Sequence, residues 1–325
     1  MFTPGGAGFA PRFLFAALLC AGAVSPALAA DKLRAGKATS DTWPYAALDI
    51  GVEEGLFAKY GLDVEVTVLS GGARFQQALA SNSIDVGVSG TAAMPQTVKG
   101  SPVIAIAATV GAPRGFAVVV AADSPIKSVP DLKGKTISFG TNGSFPDWLV
   151  HRVSIAEGWG KDGIKGVALG SVEGSISAVM AHQVDAMMTA TEVGLQMEEQ
   201  KRGRIVTEMG KYAPTIVNQA AFARQNLVAE NPDLVNRFLK GLFATVAFMK
   251  HDREKTIELT AKIFNQSPAV MSKAYDLEIT TMVDDGVFNP AGLDVLKDSF
   301  VELGMLKEKP SDDQILTKQF LPVKP

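Results

Sequence analysis

Cysteine occurs once in the 325 residues, at Cys20, and histidine three times, at His151, His182 and His251. The histidines stand far apart and lack metal-ligand spacing to cysteine or carboxylates, so each is read as a surface or helix-face residue and no metal ligand is assigned. Neither a G-x-S-x-G elbow nor a G-x-G-x-x-G fingerprint occurs, and in "VPDLKGKT" Val129 holds the place of the first P-loop glycine. No catalytic residue and no cofactor are therefore expected. The formal net charge is −3 and no Lys/Arg cluster appears, which argues against a nucleic-acid partner. Past residue 31 no apolar run approaches the ~20 residues that span a bilayer.

What is present begins with a segment of another kind. Arg12 is followed by "FLFAALLCAGAV" and then "SPALAAD", with small residues at Ala27 and Ala29. This pattern is a secretory signal peptide over residues 1–30, cut near Ala29 or Ala30. Its apolar run, Phe13 to Val24, is 12 residues, too short for a membrane anchor. Leu19 is too large for the residue before a lipid-bearing cysteine. Cleavage removes Cys20, so the mature chain has no disulfide to form and must be held by packing. In a bacterium the destination is the periplasm or the cell surface.

The mature chain reads as α/β. "WPYAALDIGVEEGLFAKYG" places Tyr45, Leu48, Val52 and Leu56 at helical spacing, with Pro44 in the first turn and Gly61 at the end. "DVEVTVLS" and "IDVGVSG" alternate as strands, and "ARFQQALASN" between them sets Phe75, Ala78 and Leu79 on one helical face. Strand and helix in turn at this spacing predict a mostly parallel sheet with helices on both faces. "VIAIAATV" and "GFAVVVAA" are buried strands. After "TISFG" comes a helix over 146–157, then a strand near "GVALG", a helix through "ISAVMAHQ" and a strand "VDAMMTA". Following "IVNQAAFA", a helical tail carries Leu234, Phe238, Leu242, Val246 and Met249 on one face and continues through "SDDQILTKQFL".

A shift of one hundred residues lays "SNSIDVGVSGT" over "AHQVDAMMTAT", matching Ile84 to Val184, Asp85 to Asp185, Ser89 to Thr189 and Thr91 to Thr191. Two lobes on one plan follow. Lobe 1 is expected over 31–120 plus 221–325 and lobe 2 over 121–220, with crossings near Val118–Ala122 and Ala220–Arg224 and the tail completing lobe 1.

In both lobes strands end in small hydroxyl residues where a helix begins: "ATSDTW", "SGG", "SGTAA", "GTNGS" and "TATE". In open α/β sheets ligands bind beyond the carboxyl ends of strands, and free N–H groups with the helix dipole favour anions there. Ordinary caps and turns account for many of these residues. Trp43 and Phe145 are placed to wall an organic ligand. Arg74, Arg114 and Glu192 are the charges nearest the expected cleft, and either arginine suits a carboxylate or sulfonate.

"GLFAKYGLDVEVTVLSGGARFQQALASNSIDVGVSG" resembles the first lobe of ABC-transporter solute-binding proteins of the nitrate, sulfonate and taurine group, marked by E-x-G-[LF]-[FY]-x-x-x-G-L. "SVPDLKGKTISFGTNGSFPDWLVHRVSIAEG" is similar to their second-lobe opening, and "ISAVMAHQVDAMM" to its helix-to-strand repeat; the likeness covers nearly all of residues 33–250. The resemblance implies a type II periplasmic-binding-protein fold with a ligand cleft between lobes. It also implies a monomer that carries a small organic anion to an ABC permease with its ATPase. It sets the ligand loops at Ser40, Asp41, Trp43, Ser70, Gly71, Gly72, Ser89, Gly90, Thr91, Asn142, Gly143, Ser144 and Thr191. "TNGSF" and "TATE" leave the headgroup open. Two alternatives remain: a binding protein for another transporter type or a sensor, and a protein akin to the thiamine-pyrimidine binders and synthases. Histidine and cysteine chemistry of the synthases is hard to supply from a mature chain without cysteine.

Overall fold

A computed structural model of the chain describes Met1, residues 30–213 and residues 215–325. The expected signal peptide, apart from Met1 and Ala30, lies outside the described residues, and Cys20 with it. Among the described residues no helix is long and apolar enough to cross a membrane.

The first half-lobe runs β1 (Asp31–Lys37), α1 (Ala46–Glu53), β2 (Leu62–Val68), α2 (Gly72–Ala80), β3 (Val86–Gly90), α3 (Pro95–Val98) and β4 (Val103–Val110). The second lobe runs β5 (Phe116–Ala121), β6 (Thr136–Phe139), α4 (Phe145–Ala156), β7 (Lys165–Ala168), α5 (Val172–Met180), β8 (Ala186–Ala190), α6 (Thr191–Glu199) and β9 (Gly203–Glu208). The chain then returns through β10 (Gln219–Arg224) to α7 (Gln225–Glu230), α8 (Pro232–His251), α9 (Arg253–Phe264), α10 (Pro268–Glu278) and α11 (Pro290–Glu302).

The two sheets have the orders β2-β1-β3-β10-β4 and β7-β6-β8-β5-β9. In each, four strands share one direction and one runs against them: β10 in the first sheet, β5 in the second. The odd strand is in each case the one that arrives from the other lobe. Both sheets are thus mixed, with four of five strands running in one direction, in the expected two-lobed architecture.

The crossings fall earlier than expected. Phe116–Ala121 lies wholly in the second sheet and Gln219–Arg224 wholly in the first, so the passages between sheets are residues 111–115 and 209–218. Continuous apolar strands are buried on both faces and carry no mark of where the sheet changes. The tail also does more than complete lobe 1. α8 packs on α1, whereas α10 packs on α6 of the second lobe. Ser267 Oγ donates to Glu199 (2.6 Å) and Trp148 Nε1 to Glu302 (2.8 Å), so the tail grips both lobes. "SDDQILTKQFL" forms only a 3-10 turn at Asp312–Gln314. Val52, read as a core position, is 43% exposed because α1 ends one residue later.

Packing follows the apolar faces. Phe75 of α2 meets Phe222 of β10 edge-on at 5.9 Å, and Phe57 stacks on Phe238 of α8 at 5.8 Å. Each ring fully buried this way contributes roughly 1.5–3 kcal/mol. Gly51 makes the second pair fit, since a Cβ there would stand 2.5 Å from the Phe57 ring.

The repeated aspartate is explained at the far end of the strands from the cleft. Asp85, just before β3, accepts from Arg34 N and Nε (both 3.0 Å), Arg34 Nη2 (2.8 Å) and Arg224 Nη2 (3.2 Å). Burial works against its charge, but these hydrogen bonds outweigh it and hold its carboxyl below the usual range. Asp185, just before β8, accepts from Thr136 N at 2.8 Å. One carboxylate locks the head of each sheet.

Candidate functional site

The loop after β1 meets the helix start after β8 across the gap between lobes, where Trp43 faces Glu192. Thr91 and Thr191 anchor this arrangement. Thr91 N donates to Asn218 O (3.1 Å) and its hydroxyl to Val217 O (2.7 Å) and Asn218 O (3.1 Å). Thr191 N donates to Gly115 O (2.9 Å) and its hydroxyl to Arg114 O (3.2 Å). Each threonine ties a helix start to the passage between lobes. Both were expected at the ligand, but both are buried with their hydroxyls committed to backbone.

The helix starts at the gap are not equivalent. α4 is filled by its own chain: Asp147 Oδ2 accepts from Gly143 N (2.8 Å) and Ser144 Oγ from Asp147 N (3.4 Å). Asp147 also faces His151 Nε2 at 3.4 Å, which holds the imidazole pKa above its ordinary value. α5 is capped by Ser171 and has Glu173 in its first turn, and α6 has Glu192 in its own. A carboxylate at a helix start takes the place an anion would occupy. α2 differs: its N-cap is Gly71 with φ 105°, no side chain caps it and its first turn holds no acid. Beside it lies Ser89, 1% exposed, whose Oγ has no partner and would stand 3.7 Å from a Cβ on Gly72. Gly90, next along, has open space around its Cβ position.

Between the lobes lies a cavity of about 10 Å³ lined by Thr42, Phe116, Glu192, Asn218, Gln219 and Glu278, among others. Glu192 Oε1 accepts from Trp43 N across the gap at 2.9 Å. Glu192 and Glu278 are 5% and 4% exposed. Burial pushes the Glu192 carboxyl up to about 7, and the charge of Asp41 adds to this, while hydrogen bonds from Glu278 and Trp43 N–H pull it back. Burial first and then Glu192 raise Glu278 well above an ordinary carboxyl. Glu278 reaches this position because residue 115 is glycine: a Cβ there would lie 2.5 Å from its carboxyl carbon.

The expected residues thus divide. Gly71, Gly72, Ser89 and Gly90 gather at the α2 start, and Asp41, Trp43 and Glu192 at the contact between lobes. Ser40, Ser70, Asn142, Arg74 and Arg114 are exposed and neither arginine makes a salt bridge among the described residues. Arg114 leans on residue 210, where a Cβ would meet its Cγ at 2.9 Å. Trp43 does not present its ring as a wall: it is fully buried and packs edge-on against Tyr275 at 5.9 Å. Phe145 is buried between Phe116 (5.7 Å) and Trp148 (5.4 Å). Gln219 and Glu278 were not anticipated. Gln219 had a signal, the polar pair in "VNQAAFA" at the head of an apolar strand; Glu278 had none.

The fold and the cleft define the class: a two-lobed periplasmic-binding-protein architecture with its polar groups facing the gap. The chain belongs to the NMT1/THI5-like family, whose model matches residues 45–256. It is 28% identical over 279 residues to a Brucella abortus (strain 2308) protein named only as a binding protein, spanning 82% of this chain and 85% of that one. It shares its fold with the periplasmic aliphatic sulphonate binding protein SsuA from Escherichia coli (TM-score 0.72, 21% identity, 88% and 92% of the two chains). The same holds for the ligand-binding component of an ABC-type import system from Staphylococcus aureus (TM-score 0.78, 14% identity, 90% and 99%).

Proposed function

We propose that this chain is the extracytoplasmic solute-binding component of an ABC importer, without catalytic activity of its own. It acts as a monomer in the periplasm, closes its lobes on a small organic solute bearing an acid group, and delivers that solute to a membrane permease and its ATPase. The observation that carries the reading is the α2 start. An uncapped helix terminus, free of acids and flanked by glycine, has a buried, unpartnered Ser89 hydroxyl beside it. Among the α-helices that start at the gap, α4, α5 and α6 carry an acid in the first turn and α2 does not, so its donors suit an acid headgroup. Phe116 supplies apolar surface at the cavity between the lobes.

The magnitudes agree with capture. A partly buried helix terminus contributes up to ~2 kcal/mol and each neutral hydrogen bond ~0.5–1.5 kcal/mol. Micromolar affinity, about −8 kcal/mol, needs several such contacts together with apolar burial, and a cleft closed by two lobes provides both. Calorimetry of the purified protein against sulfonates, carboxylates and nitrate tests it. One-to-one binding is expected, and silence across all classes sinks the reading.

A further inference from the structure

The acid pair at the contact between lobes calls for a different chemistry from the α2 start. Gln219 Oε1 is a buried acceptor without a partner, Glu192 Oε2 has none beyond the Glu278 carboxyl, and both residues line the same small cavity as Glu278. Among the described residues no salt bridge includes Glu192 or Glu278. The charges around them do not help. Asp41, on the loop after β1, is a third acid, and Tyr45 and Tyr275 are neutral phenols on the packed elements. Arg114 is exposed against residue 210, and the buried Lys37 is spent on Asp49 at 2.5 Å.

Two buried carboxyls and an amide oxygen facing one space are stable only if something there donates hydrogen bonds. A proton between the two carboxyls satisfies that pair and leaves Gln219 Oε1 unpartnered. A protonated nitrogen satisfies all three, and the ~10 Å³ cavity admits one group about the size of a water molecule or an ammonium head. We propose that Glu192, Glu278 and Gln219 form a recognition pole for a cationic N–H group, an ammonium, on the captured solute. This rests on the solute-binding reading and deepens it: the ligand carries an acid group toward α2 and a protonated nitrogen toward the acid pair. The balance is an exchange. The nitrogen arrives already protonated, and the carboxyl proton that it displaces from the pair leaves to solvent.

Calorimetry with matched probes tests the pole: 4-aminobutanoate against butanoate, 3-aminopropanesulfonate against propanesulfonate, and benzylamine against benzyl alcohol. Each is run at pH 6.5 in two buffers of different ionisation enthalpy, so that proton release is read directly. In at least one pair the amine-bearing member binds at least tenfold more tightly and releases a proton that its partner does not. Glu278→Gln removes that preference and that release and keeps a cooperative thermal melt. Equal or tighter binding of the nitrogen-free members overturns the pole while the solute-binding reading stands. Amine binding without proton release, or unchanged by Glu278→Gln, overturns it as well. Silence from every probe overturns the pole and the reading together.

Discussion

Gly90 and Asp85 sit at opposite ends of β3 and illustrate two fates of residues that look alike in the repeat. Gly90 has open space where a Cβ would stand, so Gly90→Asp costs the fold little. It sets a carboxylate near the α2 start, whose first turn holds no acid. An acid-bearing solute should lose at least about tenfold in affinity, a change of about 1.4 kcal/mol or more, with an unaltered thermal melt. Calorimetry beside a melting curve checks both halves. Asp85 is the converse. Asp85→Asn keeps its size but loses the charge that Arg34 and Arg224 hold. We expect a loss of about 2 kcal/mol of stability in urea titrations, with affinity for the same solute unchanged.

At the scale of elements, the contact of α6 with α10 sets a pH dependence. An unfolded glutamate titrates near 4.3, whereas burial, with the charge of Asp41 adding to it, holds Glu192 at about 7 in the folded chain. Below ~4.3 both states are protonated and the contribution is full. As pH rises through about 7 the folded state must give up a proton the unfolded state has already lost, and stability falls. Between pH 4.5 and 8 the pair should cost up to about 3 kcal/mol, and Glu192→Gln should flatten that slope in urea titrations across the range. A slope identical to the parent's would mean that the pair does not titrate in this window. The individual elements were legible in the sequence because their causes are local. Phe75 and Leu79 mark the inner face of α2, Pro44 and Pro146 open helices, and the one-hundred-residue offset overlays β3 on β8 residue for residue. The acid pair was not legible, because Glu278 arrives on a tail helix whose packing against α6 leaves no mark in either segment. Trp43 misled for the same reason: the ring that covers it, Tyr275, is also on α10.

For the whole molecule, the size of the cavity bears on how solute enters. A space of about 10 Å³ lies between lobes joined by the Trp43–Glu192 hydrogen bond, whereas small-molecule sites usually measure about 300–1,000 Å³. On the proposed solute-binding reading the lobes part to admit solute, and the passages at 111–115 and 209–218, which Thr191 and Thr91 hold, are where they would pivot. Bound solute then favours the closed form only by touching both lobes. Moving a population from 1:99 to 99:1 takes a preference of about 10⁴-fold for the closed state. The cysteine-free sequence beyond Cys20 makes the motion measurable, since Gln77→Cys on α2 and Glu173→Cys on α5 place two labels on exposed, corresponding helices of the two lobes. Without ligand, energy transfer between them should be low or broadly distributed. Saturation with the tightest calorimetric probe should collapse it to one high-efficiency population, and Gly90→Asp should abolish that shift by abolishing binding. A distribution unmoved by saturating ligand would mean that the lobes do not close on their solute.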